Sequence, residues 1–274
     1  SEHLFIFVNT SPVLTAGFHV TGAFALPTRF MDQGKLMLDI LARNSTPDET
    51  WVREWLSSPR LQTYLDAAGN DLSHALKLYE WNIDLGQILM KDIAFFEIAL
   101  RNAYDCEIGS RWSGAVHWLF DDASPVNVSI PRRNRSGKMF DANALNRASI
   151  RGATPSNVES IQPGRTIANL SFGFWAHLTD KAHERILWIP YLHHAWPAGT
   201  NRADLNAKIR LINECRNRIA HHEPLFRNTD KMRDPIMVDR LVVGFFQQLL
   251  PQADVYDSNG PTPVELFLHS NPRP

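Results

Sequence analysis

From Leu72 to about Tyr104 a stripe that is apolar but for Glu97 recurs at alternating steps of four and three: Leu72, Leu76, Tyr79, Ile83, Gly86, Met90, Ile93, Glu97, Leu100 and Tyr104. That spacing lines one face of an α-helix. Leu85, Ile88, Leu89, Phe95, Phe96 and Ile98 widen the face, which predicts a central helix packed on several sides. Shorter helical patterns surround it. Ser45-Thr46-Pro47-Asp48-Glu49 reads as a capped start with proline in the first turn, continued by Trp51, Trp55 and Leu56. Pro59 breaks that pattern, and Leu61, Tyr64 and Leu65 predict a second short helix. Further helices are expected over Ile167 to Thr179, Ala182 to Trp188, Ala203 to about His222, and Met237 to Leu250. There is no internal repeat, and no alternating run long enough to build a sheet core. The predicted fold class is all-α.

From Asp121 to Gly164 the periodicity lapses and Pro, Ser, Asn and Gly accumulate. Residues 121–165 are therefore expected to form an irregular insertion, with a short helix near Asp141 to Ile150. It is basic: across residues 122–165, Arg132, Arg133, Arg135, Lys138, Arg147, Arg151 and Arg165 face only Asp122, Asp141 and Glu159. Such a loop is either a solvated face or a surface for phosphates. The helical domain is expected over 45–250, a loosely packed extension over 1–44, and a tail over 251–274. Met31 is a candidate natural start. Leu4 to Val8 with Ala23-Phe24-Ala25 superficially resembles an export signal, but Glu2 replaces the basic n-region, and Asn9, Ser11 and Pro12 interrupt the apolar stretch.

Composition narrows the class without deciding it. With 274 residues the chain is long enough for a sizeable core, burying roughly 75% of its unfolded surface. No apolar run reaches the ~18 residues of a membrane span. Two cysteines, Cys106 and Cys215, cannot form a disulfide framework, so a reducing, cytoplasmic setting is expected. A net charge of −1 supplies no global field for a polyanion, so any nucleic-acid surface must be local.

The segment that carries chemistry is Arg216-Asn217-Arg218-Ile219-Ala220-His221-His222-Glu223-Pro224. Leu205, Ile209, Ile212 and Ile219 define the apolar stripe of that helix, and Arg216 falls within about 20° of its centre. A guanidinium there needs a carboxylate, a phosphate or a subunit interface against it. Glu97, the other charge inside an apolar stripe, is the candidate partner. Arginine plus histidine suffices for metal-free RNA cleavage, because the neighbouring 2′-OH supplies the nucleophile. The imidazole moves the proton and the guanidinium holds the phosphate as charge builds. On a straight helix Arg216 and His221 lie about 140° apart. A two-fold dimer that brings two copies of the segment together resolves this, giving a composite site.

Arg216-Asn217-Arg218-Ile219-Ala220-His221 resembles the R-[polar]-x3-H motif of HEPN ribonucleases. Together with Phe95-Phe96-Glu97-Ile98-Ala99-Leu100-Arg101-Asn102, Leu170-Ser171-Phe172-Gly173-Phe174-Trp175 and Glu214 to Pro224, it resembles the Abi-like family of bacterial abortive-infection proteins. The resemblance covers about residues 50–250. It implies a HEPN-like helical bundle, dimerisation and metal-independent RNA cleavage in phage defence or as a toxin, with an antitoxin RNA or protein as a further partner. Arg216 and His221 are then the catalytic pair and Asn217 the assisting polar residue. His222, Glu223, Glu97 and Arg101 are the candidate supporting residues, and the charge of the insertion makes Arg132, Arg133, Arg135 and Lys138 the candidate RNA contacts.

Three other readings compete. Eleven histidines raise the question of metal, but the adjacent pairs His193-His194 and His221-His222 diverge, and neither HExxH nor paired CxxC occurs. No metal or other cofactor is expected, and His177 and His183 are read as surface or capped side chains. A nucleophilic hydrolase lacks its G-x-S-x-G elbow; Cys215 is read as a small buried residue, and Trp175 and Trp188 as core. The remaining alternative is a non-catalytic sensor or regulatory module that holds RNA or protein through the basic insertion.

Overall fold

The computed structural model describes residues 49–156, 162–227, 231–257 and 259–274. The chain divides into two units, 1–46 and 47–274. The first lies outside the described residues, as do the export-like segment, Met31 and the Ser45 to Asp48 cap.

Two short helices, α1 (Glu49–Leu56) and α2 (Ser58–Ala67), lead into α3 (Leu72–Arg111). On α1, Val52 and Leu56 turn into the core, while Trp51 and Trp55 stay 39% and 46% exposed and stack on each other. Helix α3 has 40 residues and starts where Asp71 accepts a hydrogen bond from the His74 amide; at 1.5 Å per residue it is about 60 Å long. Its fully buried line runs through Leu78, Leu85, Leu89, Phe96 and Leu100. The expected stripe residues Tyr79, Ile83 and Met90 lie only half-buried beside it. A helix packed on several sides has so broad an apolar face that periodicity alone leaves its centre free to turn.

Within the basic insertion the chain forms an antiparallel hairpin, β1 (Pro131–Arg133) and β2 (Met139–Asp141), with Arg132 opposite Phe140. Asn134 Oδ1 accepts hydrogen bonds from the Lys138 amide and the Ser136 hydroxyl, and Gly137 takes a φ of 78° to close the turn. Helix α4 (Ala144–Ala153) follows. The insertion expected to be irregular is thus substantially ordered by local hydrogen bonds that leave no hydrophobic period. Asp141 shows this too: its carboxylate accepts from the Ile130 and Asn143 amides and ion-pairs Arg147 at 2.5 Å.

The stretch predicted as one helix from Ile167 splits into α5 (Pro163–Asn169) and α6 (Phe172–His177), because Leu170 and Ser171 adopt extended backbone. A 3₁₀ turn (Lys181–His183), a π-helical turn (Glu184–Trp188) and a second 3₁₀ turn (Leu192–Ala195) complete the connection. Helices α7 (Arg202–Ala220), α8 (Pro235–Leu249) and α9 (Pro263–Ser270) end the chain. Phe96 meets Phe172 edge-on, Trp118 meets Trp175, and the Trp196 indole donates to the Tyr104 hydroxyl at 3.1 Å. Among the described residues no helix is long and apolar enough to cross a membrane.

The expected tail is part of the fold. Thr262, Pro263 and Glu265 form a capping box, Val264 is fully buried, and the Trp81 indole donates to the Asn271 carbonyl at 2.9 Å. Helix α9 is short, so its pattern is hard to see without that capping signal. It also covers a buried acidic pair. Asp92 of α3 accepts from the Tyr256 hydroxyl at 2.8 Å, and Asp239 of α8 accepts from the Val264 amide at 3.0 Å. Burial drives both carboxyls up, Asp239 to about 6.

Candidate functional site

Asn201 caps the start of α7, accepting from the Ala203 and Asp204 amides. Leu205, Ile209, Ile212 and Cys215 bury one side of the helix, and burial pushes the Cys215 thiol up to about 11, as suits an inert core residue. Arg216 and Ile219 are half-buried at the edge of this face. The helix runs along α3 closely: a Cβ on Gly86 would stand 3.3 Å from Ile219 Cγ2.

The helix ends within the predicted segment. The His222 amide donates to Ile219 O at 2.9 Å and the Glu223 amide to Arg218 O at 2.9 Å, which is a Schellman closure. His222 occupies the left-handed position of that closure at φ 54°, where glycine is usual. Three side chains hold the turn in place. Asn82, buried on α3, donates to Glu223 O at 3.3 Å and accepts from the Leu225 amide at 2.7 Å. Arg218 pairs with Glu223 at 3.4 Å and donates to the Pro224 carbonyl. Arg60 of α2 donates to the His221 carbonyl at 3.2 Å.

These contacts leave Asn217, His221, His222 and Glu223 exposed. His222 and Glu223 stand over a cavity of about 320 Å³ with Asn82, Gly86, Gln87 and Met90. Arg216 lies elsewhere, donating to Asn217 Oδ1 at 3.5 Å. Burial raises the Glu97 carboxyl above its ordinary range, against the opposing pull of Arg216 and Arg101. The proposed partner is therefore electrostatically coupled to Arg216, yet no ion pair within 4.0 Å joins them. Arg101 itself donates to the Ala168 carbonyl at 3.5 Å. No hydrogen bond, ion pair or common cavity joins Arg216 to His221 within the described chain.

Arg132, Arg133, Arg135 and Lys138 all lie exposed on the hairpin or its turn, and Met139 and Phe140 beside them are 51% and 49% exposed. Only Arg132 reaches back to the fold, donating to the Ala182 carbonyl at 3.2 Å.

Asn82 escaped the sequence reading because an amide between helical apolar positions looks like a surface residue. A second polar cluster escaped it as well. His183 is fully buried and His177 half-buried, and both face Asp180, so neither is a surface histidine. Their three-residue steps were the signal that adjacent-pair counting passed over. Comparison of the chain with family models, with curated proteins and with solved structures finds no match in any of the three.

Proposed function

We propose that the protein is a metal-independent endoribonuclease of the HEPN type, acting in phage defence or as a toxin, with its site assembled from two copies of the chain. The observation that supports this reading is the end of α7. Its closure presents Asn217 and His221 to solvent, the first beside and the second just over a turn beyond Arg216, which has no carboxylate within ion-pair distance among the described residues. The resemblance of Arg216 to His221 to the HEPN motif supplies the chemistry. Because one chain leaves the pair apart, the reading commits to a two-fold arrangement in which the arginine of one copy and the histidine of the other share a phosphodiester. His221 takes the proton of the 2′-OH as that oxygen bonds to phosphorus, the guanidinium holds the phosphoryl oxygens, and the 5′-oxygen takes a proton from water as its bond to phosphorus breaks. The products are a 2′,3′-cyclic phosphate and a 5′-hydroxyl.

Incubating the purified chain with mixed RNA in chelator, followed by analysis of the product ends, tests this. His221→Ala is expected to slow cleavage by on the order of 10²- to 10⁴-fold while leaving fold and dimer intact. Metal-dependent cleavage, or a monomer that cleaves at full rate, overturns it. The exposed basic hairpin favours a second reading, a sensor or regulatory module that binds RNA or protein without cutting it. Under that reading His221→Ala changes nothing, and Arg132, Arg133 and Arg135 carry the binding.

A further inference from the structure

His177, Asp180 and His183 bring one donor atom each to within 4.8 Å of one another. They sit where α6 gives way to the 3₁₀ turn, three residues apart. His183 Nδ1 lies 2.6 Å from Asp180 Oδ1, and His177 Nδ1 lies 3.3 Å from Asp180 Oδ2. The far nitrogens of both rings are accounted for. His177 Nε2 lies 3.3 Å from the Ala142 carbonyl, which can only accept, so that nitrogen carries a hydrogen. His183 Nε2 lies 2.8 Å from Asn143 Oδ1. The amide of Asn143 cannot be reversed, because its Nδ2 donates to the Pro125 and Val128 carbonyls at 2.9 and 2.7 Å. Asn146 Nδ2, 3.3 Å from the same ring nitrogen, has Asn143 Oδ1 at 2.8 Å to donate to. His183 Nε2 therefore carries a hydrogen as well.

With both hydrogens on Nε2, the two neutral rings turn Nδ1 lone pairs toward a carboxylate. Acceptors facing acceptors at these distances repel unless positive charge lies between them. The two ring centroids lie 4.9 Å apart and His183 is fully buried, so the three donor atoms converge on one small space. A single divalent ion supplies that positive charge at one point.

We propose that His177 Nδ1, Asp180 and His183 Nδ1 bind one divalent transition-metal ion of the Zn²⁺ kind. Two imidazoles and one carboxylate suit such an ion and not Ca²⁺ or Mg²⁺, which take oxygen ligands. The backbone carbonyl and the asparagine that hold the outer ring nitrogens are the partners that orient metal-bound histidines. Tetrahedral ligands at about 2.0–2.1 Å from zinc stand roughly 3.3 Å apart, so the His177 to Asp180 spacing fits and the Asp180 to His183 spacing opens by several tenths of an ångström on loading. His177 and Asp180 side chains are 27% and 28% exposed, which leaves a coordination position open to solvent. The ion fastens residues 142–146 to the 177–183 turn, to which Arg132 also ties the basic hairpin through the Ala182 carbonyl.

The test is Zn²⁺ titration of the full chain after chelator treatment, with Co²⁺ as a spectroscopic probe. A single equivalent of Zn²⁺ is expected, with intense visible Co²⁺ bands of low-coordinate geometry, and chelation is expected to speed amide exchange across residues 142–146. His177→Gln, at a half-exposed position, should weaken Zn²⁺ binding by on the order of 100-fold or more, beyond the 10- to 100-fold typical of a lost outer partner. His193→Ala with His194→Ala should leave it unchanged. A folded chain that takes up no Zn²⁺ identifies a proton-held triad and overturns the proposal, as does binding that His177→Gln leaves intact. Metal uptake is read directly, so the result is independent of RNA cleavage.

Discussion

At the end of α7, His221 and His222 are exposed, and among the described residues no hydrogen bond or ion pair engages either ring. Between α6 and the π-helical turn, His177 and His183 have both ring nitrogens engaged, one ring wholly buried. A ring with open nitrogens can exchange a proton with a substrate. One held at both ends trades that freedom for rigidity. Spacing underlies the contrast: neighbours in a helical turn diverge by about 100° and cannot share a partner, whereas three-residue steps return to the same side.

The sharpest way to break the comparison is to remove one histidine from each region and measure urea unfolding in chelator. His183→Ala empties a fully buried position and removes the hydrogen bond from its Nε2 to Asn143 Oδ1, and is expected to lower stability by about 2 to 5 kcal/mol. His221→Ala should fall within about 0.5 kcal/mol of the parent, since it removes only an exposed side chain. Equal losses at the two positions would erase the distinction.

The Asp92 and Asp239 pair extends the buried side of the comparison to pH. Burial, the leading cause, raises Asp239 from an unfolded value of 3.8 to about 6. Between those values the folded chain retains a proton that the unfolded chain has released. Stability from this group is thus greatest below about pH 4 and declines as pH rises through 6, by on the order of 1 to 3 kcal/mol. Asp239→Asn should flatten that decline relative to the parent in unfolding experiments from pH 4 to 8. A parallel profile for the two proteins would show that Asp239 titrates normally. Smaller again, Asn82→Ala leaves the Leu225 amide without its buried acceptor and should cost about 2 kcal/mol, while loosening the turn that carries His221. Hydrogen exchange at Leu225 checks it.

The helices were legible because the apolar stripes of α3, α7 and α8 repeat over several turns, so tertiary packing had only to choose their centres. The same arithmetic put Arg216 near the centre of the α7 stripe, whereas the structure holds it half-buried at the edge of the core face. What stayed hidden was polar and non-local. Asn82 reaches the end of α7 across more than a hundred residues of sequence, and Asn143 meets His183 across 40. Neither partnership leaves a period to read. The hairpin at Pro131 and helix α9 were missed for a related reason, being short elements fixed by Asn134 and by the Thr262 cap rather than by a hydrophobic pattern. Arg216 and His221 were named as a pair from the sequence, and within the described chain no hydrogen bond, ion pair or common cavity joins them.

The finest test lies within a single turn. His221 has helix-like backbone angles, φ −92° and ψ 5°, whereas His222 sits at φ 54°. Glycine favours the second conformation and weakens the first, so His222→Gly should raise stability by about 0.5 to 1 kcal/mol and His221→Gly should lower it by a similar amount. Opposite signs at neighbouring positions can come only from the backbone, because both side chains are exposed. RNA cleavage then separates strain from chemistry. His222→Gly should reduce cleavage far less than His221→Ala if the left-handed turn serves only to aim His221. An equal loss would assign the imidazole of His222 to the reaction and move the catalytic histidine by one residue, onto the rim of the cavity that Gly86 and Met90 line.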